Sequence, residues 1–251
     1  MAKIFRTVRI DSIFNAKFNR YFLYVLGEIV LIVIGILIAL NINNHNKLQE
    51  NNKKEILYLQ SLQEDLKKDV GLIKHQLLRK EYLSSQLEEV FHEFPNLKNK
   101  SEKELLEISN GLTLIASQNI FVSNSSTFES IQNSSDIHVI TDFSLVQLLF
   151  NYYTHLNFIS AHDELSNQFI SITVEPYLFE KLELRTIEYI AEWYENDNRK
   201  SKNQLSDIYS DYKFENILIV SRDRTESYLA IYKKALMLAE ELYLRLDENI
   251  N

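Results

Sequence analysis

The chain is poor in the residues that cross-link or interrupt a polypeptide. Its 251 residues include no cysteine, four glycines and two prolines. The absence of cysteine excludes disulfides, zinc–thiolate sites and thiol nucleophiles. So few glycines and prolines disfavour sandwiches and barrels, which need many tight turns, and favour long helices. Neither GxGxxG nor the GxxxxGK phosphate loop occurs. The sequence therefore predicts an all-α protein.

Positive charge is also scarce after the first twenty residues. The net charge is −8, and residues 1–20 carry five basic side chains against one acidic one (+4), so the remainder carries −12. Binding to nucleic acid depends on neutralising phosphates with Lys and Arg. An acidic body of this kind therefore predicts that nucleic acid is not a partner.

What the chain does have is one long apolar run, Tyr21 to Ile42, with Glu28 as its only charge. A helix of 22 residues spans about 33 Å, enough to cross a bilayer core of about 30 Å. The run is longer than the apolar region of a signal peptide and lacks a small-x-small cleavage site. We therefore expect an uncleaved transmembrane helix, with the lipid bilayer as its first partner.

Flanking charge predicts the orientation of this span. Five Lys and Arg residues precede it, and three, Lys47, Lys53 and Lys54, lie in the 20 residues after it. The positive-inside rule then places the N-terminus in the cytoplasm and the body outside. Residues 1–20 have the pattern of a basic amphipathic helix on an anionic membrane surface, with a loose basic tail as the alternative.

Glu28 has small residues on its own face of the span. At 100° per residue, Gly35 and Ala39 lie within about 20° of Glu28, and Ile42 within about 40°. We expect Glu28, Gly35, Ala39 and Ile42 to form a packing face for another span, either a second copy or a different membrane protein. The alternatives are a Glu28 without a partner, protonated or reaching toward headgroups, and a Glu28 that carries protons.

The rest of the chain divides into a long helix, residues 43–95, and a helical bundle, residues 96–251. Leucine and isoleucine recur at helical spacing from Leu59 to Leu77, and Phe94-Pro95 ends this pattern. Asp69 and Gly71 interrupt the apolar seam. Packing into a bundle is therefore expected rather than an extended homomeric coiled coil.

Punctuation places the later elements. Capping boxes at Ser101-x-x-Glu104 and Ser126-x-x-Glu129 predict two helix starts, and 118–125 is expected to be a loop. Residues 137–140 are expected to be extended, and Thr141-Asp142 to open a helix. One helix is also predicted to follow Pro176 and run through 184–194, and another to span about 214–246.

Two blocks of sequence resemble a known family. The first is Tyr24-x-x-Gly27-Glu28-Ile29 with residues 33–44, and the second is residues 124–131 with Ser134-Ser135-x-Ile137 and Leu148-x-x-x-Tyr152-Tyr153. They resemble uncharacterised single-span bacterial inner-membrane proteins, a domain of unknown function common in Bacteroidota. Members often carry Ser-Gly at 134–135 and Trp at 45. The resemblance implies a mostly helical periplasmic domain and supplies no activity, cofactor or catalytic residue.

Candidate catalytic and metal sites are weak. His155 and His162 share a helix face, but lie about 10 Å apart along the axis, too far to bind one zinc ion together. Ser126 lacks the GxSxG elbow of a nucleophile, and the adjacent acidic pairs are typical of solvated faces. Many tyrosines crowd the C-terminal half, where they either line a ligand or protein-binding surface or pack between helices. No catalytic, cofactor or metal site is predicted.

We therefore expect a non-enzymatic scaffold or interaction subunit of an inner-membrane complex, which contacts its partner through the span. One alternative is an extracytoplasmic ligand sensor that acts through a partner. Another is an accessory subunit of an ion-driven membrane complex, in which Glu28 is functional.

Overall fold

The computed structural model describes residues 2–101, 103–105, 108, 113–183 and 205–250. Side chains are described from residue 22 onward, apart from positions 23, 98 and 113. Throughout these ranges all the regular secondary structure is helical, which confirms the all-α prediction. The chain divides into two compact units, residues 1–56 and residues 57–251.

The longest element is helix α1, Ala2–Glu93. It ends one residue before Phe94-Pro95, and a 3₁₀ helix, Phe94–Asn99, follows. Pro95 lies in the first turn of that 3₁₀ helix, where a missing N–H leaves no bond unmade. Residues 2–20 are helical, while the amphipathic faces predicted for them involve side chains outside the described ones.

Shorter helices follow in chain order. They are α2, Ser126–Asn133, α3, Phe143–Phe169, α4, Glu175–Lys181, α5, Leu205–Tyr209, and α6, Tyr212–Ile250. Two further 3₁₀ helices span Thr113–Ala116 and Asp136–Val139. Residues 118–125 have no regular structure, as predicted. The helix predicted to follow Pro176 ends at Lys181, and its predicted continuation over 184–194, with Tyr189 and Tyr194, lies outside the described residues.

Two helix starts form the caps that the sequence predicted. At Ser101, the backbone N–H donates to the Glu104 carboxylate at 2.8 Å, and the Glu104 N–H donates back to the Ser101 hydroxyl at 3.4 Å. At α3, the Asp142 carboxylate accepts the backbone N–H groups of Ser144 and Leu145. Both arrangements satisfy amide groups that have no partner inside the first turn.

Two local predictions were wrong. Residues 137–139 form a 3₁₀ helix and not an extended piece, because Ser135 turns the chain with a left-handed φ of 59° immediately before it. The N-cap of α2 is Ser125 rather than Ser126, and the Ser125 hydroxyl donates to Glu129 at 2.5 Å. In both places the sequence pattern is too short to specify the local geometry.

Helix α3 passes into α4 through one π-helical turn, Ile170–Val174. The Glu175 N–H bonds to the carbonyl of Ile170, five residues back. Pro176 follows in the first turn of α4 and has no N–H to donate to a carbonyl of the π turn. A widened turn of this kind is a known way for a helix to accommodate a proline.

The described residues of the unit 57–251 contain two apolar cores. The first joins α1, α3 and α6 and is built on leucine, isoleucine and tyrosine side chains, among them Leu62, Leu66, Ile73, Leu145, Tyr152 and Tyr232. The second joins the end of α1 to α4, α5 and the start of α6, and includes Leu87, Val90, Tyr177 and Leu218. Each fully buried leucine or isoleucine stabilises the fold by about 1.5–3 kcal/mol.

Candidate functional site

The apolar stretch of α1 meets the length and composition of a membrane span. Its most apolar 18-residue window has a mean hydropathy of 2.7, and none of that window is buried. The large side chains from Ile29 to Ile42 are each about half exposed or more. Among the described residues it is the one helix with these properties.

The four residues of the predicted packing face, Glu28, Gly35, Ala39 and Ile42, are all exposed. A Cβ added to Gly27 or Gly35 would meet no atom within 4 Å. Nothing within the described chain therefore requires glycine at either position. The bare backbone of Gly35 is available for close approach by another helix.

A polar ladder runs along one face of α1 in the second unit. It consists of Tyr58, Asp65, Asp69, Gln76 and Lys80, which lie within about 60° of one another on the helix wheel. Each of these side chains bonds to a successive point of the segment 119–136, which runs antiparallel to α1. The partners are Asp136 for Tyr58, Thr127 for Asp65, Asn124 for Asp69, the carbonyl of Ile120 for Gln76, and Asn119 for Lys80.

Asp69 is the central member of the ladder and is fully buried. One carboxylate oxygen accepts the backbone N–H of Asn124 at 2.7 Å and its amide at 2.8 Å. The other accepts the hydroxyl of Tyr152 at 3.1 Å. The carboxylate therefore connects α1, the irregular segment and α3. Asp69 therefore interrupts the apolar seam because its carboxylate accepts hydrogen bonds from two other parts of the domain.

Lys80, the last member of the ladder, lies in a polar cluster with Asn119 and Ser166. It is 7% exposed, donates to the side-chain carbonyl of Asn119, and lies 4.3 Å over the ring of Tyr228. The amide of Asn119 donates in turn to the Ser166 hydroxyl at 3.3 Å. Burial lowers the pKa of Lys80 to about 8, so it remains mostly charged at neutral pH.

Asn119 is also fixed through its backbone. Its N–H donates to the Asn167 side-chain carbonyl at 2.7 Å, and its C=O accepts from the Asn167 amide at 2.7 Å. The amide side chain of Asn167 on α3 therefore hydrogen-bonds to both main-chain groups of Asn119. This pair of hydrogen bonds holds the irregular segment 118–125 against α3.

Asp163 and His162 lie beside this cluster on α3. One oxygen of Asp163 accepts the Phe121 N–H at 2.9 Å, and the other has no hydrogen-bond partner among the described residues. Burial raises the pKa of Asp163 and lowers that of His162. The His162 ring meets the Tyr228 ring edge-on at 4.7 Å.

The two histidines singled out from the sequence have different surroundings. The ring of His155 lies 2.9 Å from the carbonyl of Ile231, while His162 packs on Tyr228. The described residues contain no group of three or more side chains placed to hold a metal ion. Most of the tyrosines in question are buried in the cores, namely Tyr152, Tyr153, Tyr177, Tyr209, Tyr228 and Tyr232, whereas Tyr212 is exposed.

Sequence reasoning missed the ladder, although a periodicity in the sequence indicates it. The ladder residues are spaced 7, 4, 7 and 4 apart, the same spacing as the apolar seam that they accompany. A polar stripe that keeps the register of an apolar seam predicts a buried polar contact. The partners on 119–136 have no such period, because that segment is irregular up to Ser125 and then passes through α2 and a turn.

The fold and these sites define an all-α chain with one candidate membrane-spanning helix and a helical domain containing buried polar groups. A family of unknown function, DUF6090, matches residues 28–164. This is more than half of the chain, and the chain belongs to that family. The matched range contains Glu28, the whole polar ladder and Asp163. Neither the curated proteins nor the solved structures contain a match.

Proposed function

We propose that this protein is a membrane-anchored interaction subunit of a bacterial inner-membrane complex and is not an enzyme. The observation that supports this most directly is the apolar window of α1, in which no residue is buried. An unburied run of this length is costly in water and stable in lipid. The N-terminus is in the cytoplasm and the helical domain is in the periplasm, following the charge asymmetry around the span.

The span carries the interaction through Glu28, Gly35, Ala39 and Ile42. Lipid provides little hydrophobic force between helices, so association depends on close packing and polar contacts. Gly35 and Ala39 allow close approach, and Glu28 gains a hydrogen-bond partner that lipid does not supply. The occupant of this face is a second copy or another membrane protein.

Membrane integration is tested by extracting cell membranes with alkaline carbonate. We expect the full chain to remain in the pellet and to enter solution only with detergent. Reporter fusions at the C-terminus, alkaline phosphatase against green fluorescent protein, check the orientation. Release by carbonate, or activity of the cytoplasmic reporter alone, contradicts the proposal.

The packing face is tested by cysteine cross-linking, which the cysteine-free chain permits without background. We expect Gly35→Cys and Ala39→Cys to form an oxidised dimer or a defined adduct in membranes. Leu37→Cys is the matched control, because position 37 lies about 180° from Glu28. If position 37 cross-links as well as positions 35 and 39, or none does, the packing face is wrong.

A bulky substitution provides an independent check of the same face. Gly35→Leu should disrupt the association, while Gly27→Leu, about 80° from position 35 and equally free of neighbours, should not. Glu28→Gln separates the two roles of the carboxyl group. It preserves association if Glu28 acts as a hydrogen-bonding group, and it abolishes a growth phenotype without affecting assembly if Glu28 carries protons in an ion-driven complex.

A second candidate function is a periplasmic ligand sensor that acts through a partner. What favours it is the buried, positively charged Lys80 in the helical domain, for which packing alone offers no reason. A sensor of this kind predicts that a compound stabilises the purified protein against heat, in a manner that depends on Lys80.

A further inference from the structure

The Lys80 cluster borders a small cavity between α1, α3 and α6. The cavity has a volume of about 30 Å³. Its polar lining includes Lys80, Asn119, Ser166, Ser221, Arg224 and Thr225. This is space for about one water molecule or one small ion. All of the lining belongs to the unit 57–251.

No described side chain forms an ion pair with the charge of Lys80 in this cavity. Lys80 has three donor hydrogens, and in the part of the chain that the structure describes its one hydrogen-bond acceptor is Asn119. Neither Lys80 nor Arg224 forms an ion pair with a described residue. Arg224 instead lies 4.6 Å over the Phe169 ring. A buried cation without a counter-ion is costly, and an anion in the cavity would offset that cost.

The hydroxyl groups around the cavity also favour an anion. Ser166 contributes a hydroxyl group from α3, and its oxygen accepts the Asn119 amide. Ser221 contributes another hydroxyl from α6. Thr225 is not available as a donor, because its hydroxyl already donates to the Ser221 carbonyl at 2.7 Å.

The Asp163 carboxylate does not fill this role. Asp163 attracts the charge of Lys80 electrostatically but is not within ion-pair distance of it. One of its oxygens is held by the Phe121 N–H. Asp163 borders a different feature, an open groove on the other side of Asn119. The described lining of the cavity therefore combines two cations with serine hydroxyl groups and contains no acidic side chain.

We propose that this cavity binds a compact monovalent anion, either a halide or the carboxylate group of a small acid, with Lys80 as the central contact. Arg224, Ser166 and Ser221 complete the site. The proposal deepens the sensor hypothesis by naming its ligand class, and it is independent of membrane anchoring.

The test is the thermal unfolding of the full chain in dodecyl maltoside at pH 7, followed by circular dichroism. Sodium chloride and sodium formate are titrated against sodium gluconate, a bulky anion, at constant ionic strength. At ten times Kd a single site should raise Tm by about 3–6 °C, and the rise should saturate. A response to both anions indicates a halide-sized site, and a response to formate alone indicates a carboxylate site.

Lys80→Met removes the charge at similar volume and should abolish the anion-dependent shift, whatever its effect on the Tm itself. Lys74→Met is the matched control, because Lys74 is an exposed lysine on the same helix and should retain the full shift. Arg224→Gln, at a half-buried position, should weaken binding and serves if Lys80→Met does not fold. The proposal is overturned if neither anion gives a saturable shift, or if the shift persists unchanged in Lys80→Met or, failing that, in Arg224→Gln.

Discussion

Removing the Asp69 carboxylate should destabilise the helical domain more than any change on its surface. In Asp69→Ala, the Asn124 N–H, the Asn124 amide and the Tyr152 hydroxyl all lose their acceptor. Asp69 is fully buried, so water does not replace it freely. A buried donor left unsatisfied costs about 1–3 kcal/mol, and because the contributions are not additive, we expect a total loss of about 3–5 kcal/mol.

Asp69→Asn should cost much less, about 1 kcal/mol. Its carbonyl oxygen still accepts from Asn124, and its amide donates to the Tyr152 oxygen once that hydroxyl rotates. Glu81→Ala is the control, an exposed position on the same helix, and should change the free energy of unfolding by less than about 0.5 kcal/mol.

The assay is urea unfolding of the full chain in detergent, followed by circular dichroism at 222 nm. The midpoint of Asp69→Ala should fall by about 1–2 M urea relative to the control. If Asp69→Ala resembles Glu81→Ala, or if Asp69→Asn costs as much as Asp69→Ala, the carboxylate does not hold the domain together as described.

Further predictions concern backbone and charge. Gly71→Ala, at an exposed helix position with nothing within 4 Å, should stabilise the protein by about 0.5–1 kcal/mol, as measured by urea unfolding. Ser135→Gly should stabilise it by about 1 kcal/mol in the same assay, because Ser135 has a left-handed φ of 59°. Hydrogen bonds, chiefly from the Ser144 hydroxyl, lower the pKa of Asp142. The stability that ionised Asp142 contributes is therefore present above about pH 4 and is lost as the pH falls. In thermal melts from pH 6 to 3, Tm should decline more steeply in wild type than in Asp142→Asn. Burial lowers the pKa of Lys80 to about 8. Between pH 8 and 10 the free energy of unfolding of wild type should therefore rise by up to about 2 kcal/mol relative to that of Lys80→Met. If the difference between the two proteins does not change with pH, Lys80 is not buried as a charged group.

The position of Ser135 links a sequence resemblance to a physical cause. The resembled family often carries glycine here, and the structure places this residue in the left-handed region immediately after α2. Glycine adopts that conformation without the steric cost of a side chain. The sequence alone could not reveal this, since Ser134-Ser135 has no turn signature that fixes the sign of φ.

Local patterns determined the helices and the limits between them. Phe94-Pro95 and Asp142 mark helix boundaries within a residue or two, because a missing N–H or a capping carboxylate acts on its own turn. The same locality explains the failure at 137–140, where three apolar residues are too few to outweigh one turn.

The sequence by itself determined that the chain is helical, that one apolar stretch is long enough to cross a membrane, and that Glu28, Gly35, Ala39 and Ile42 share one face. These properties depend on composition and on the period of a single helix. Only the tertiary structure decided that Asp69 and Lys80 are buried and which groups they meet. Their hydrogen-bond partners lie 39 to 83 residues away, on the irregular residues 118–125 and on α3, so these hydrogen bonds become visible only when the chain has folded.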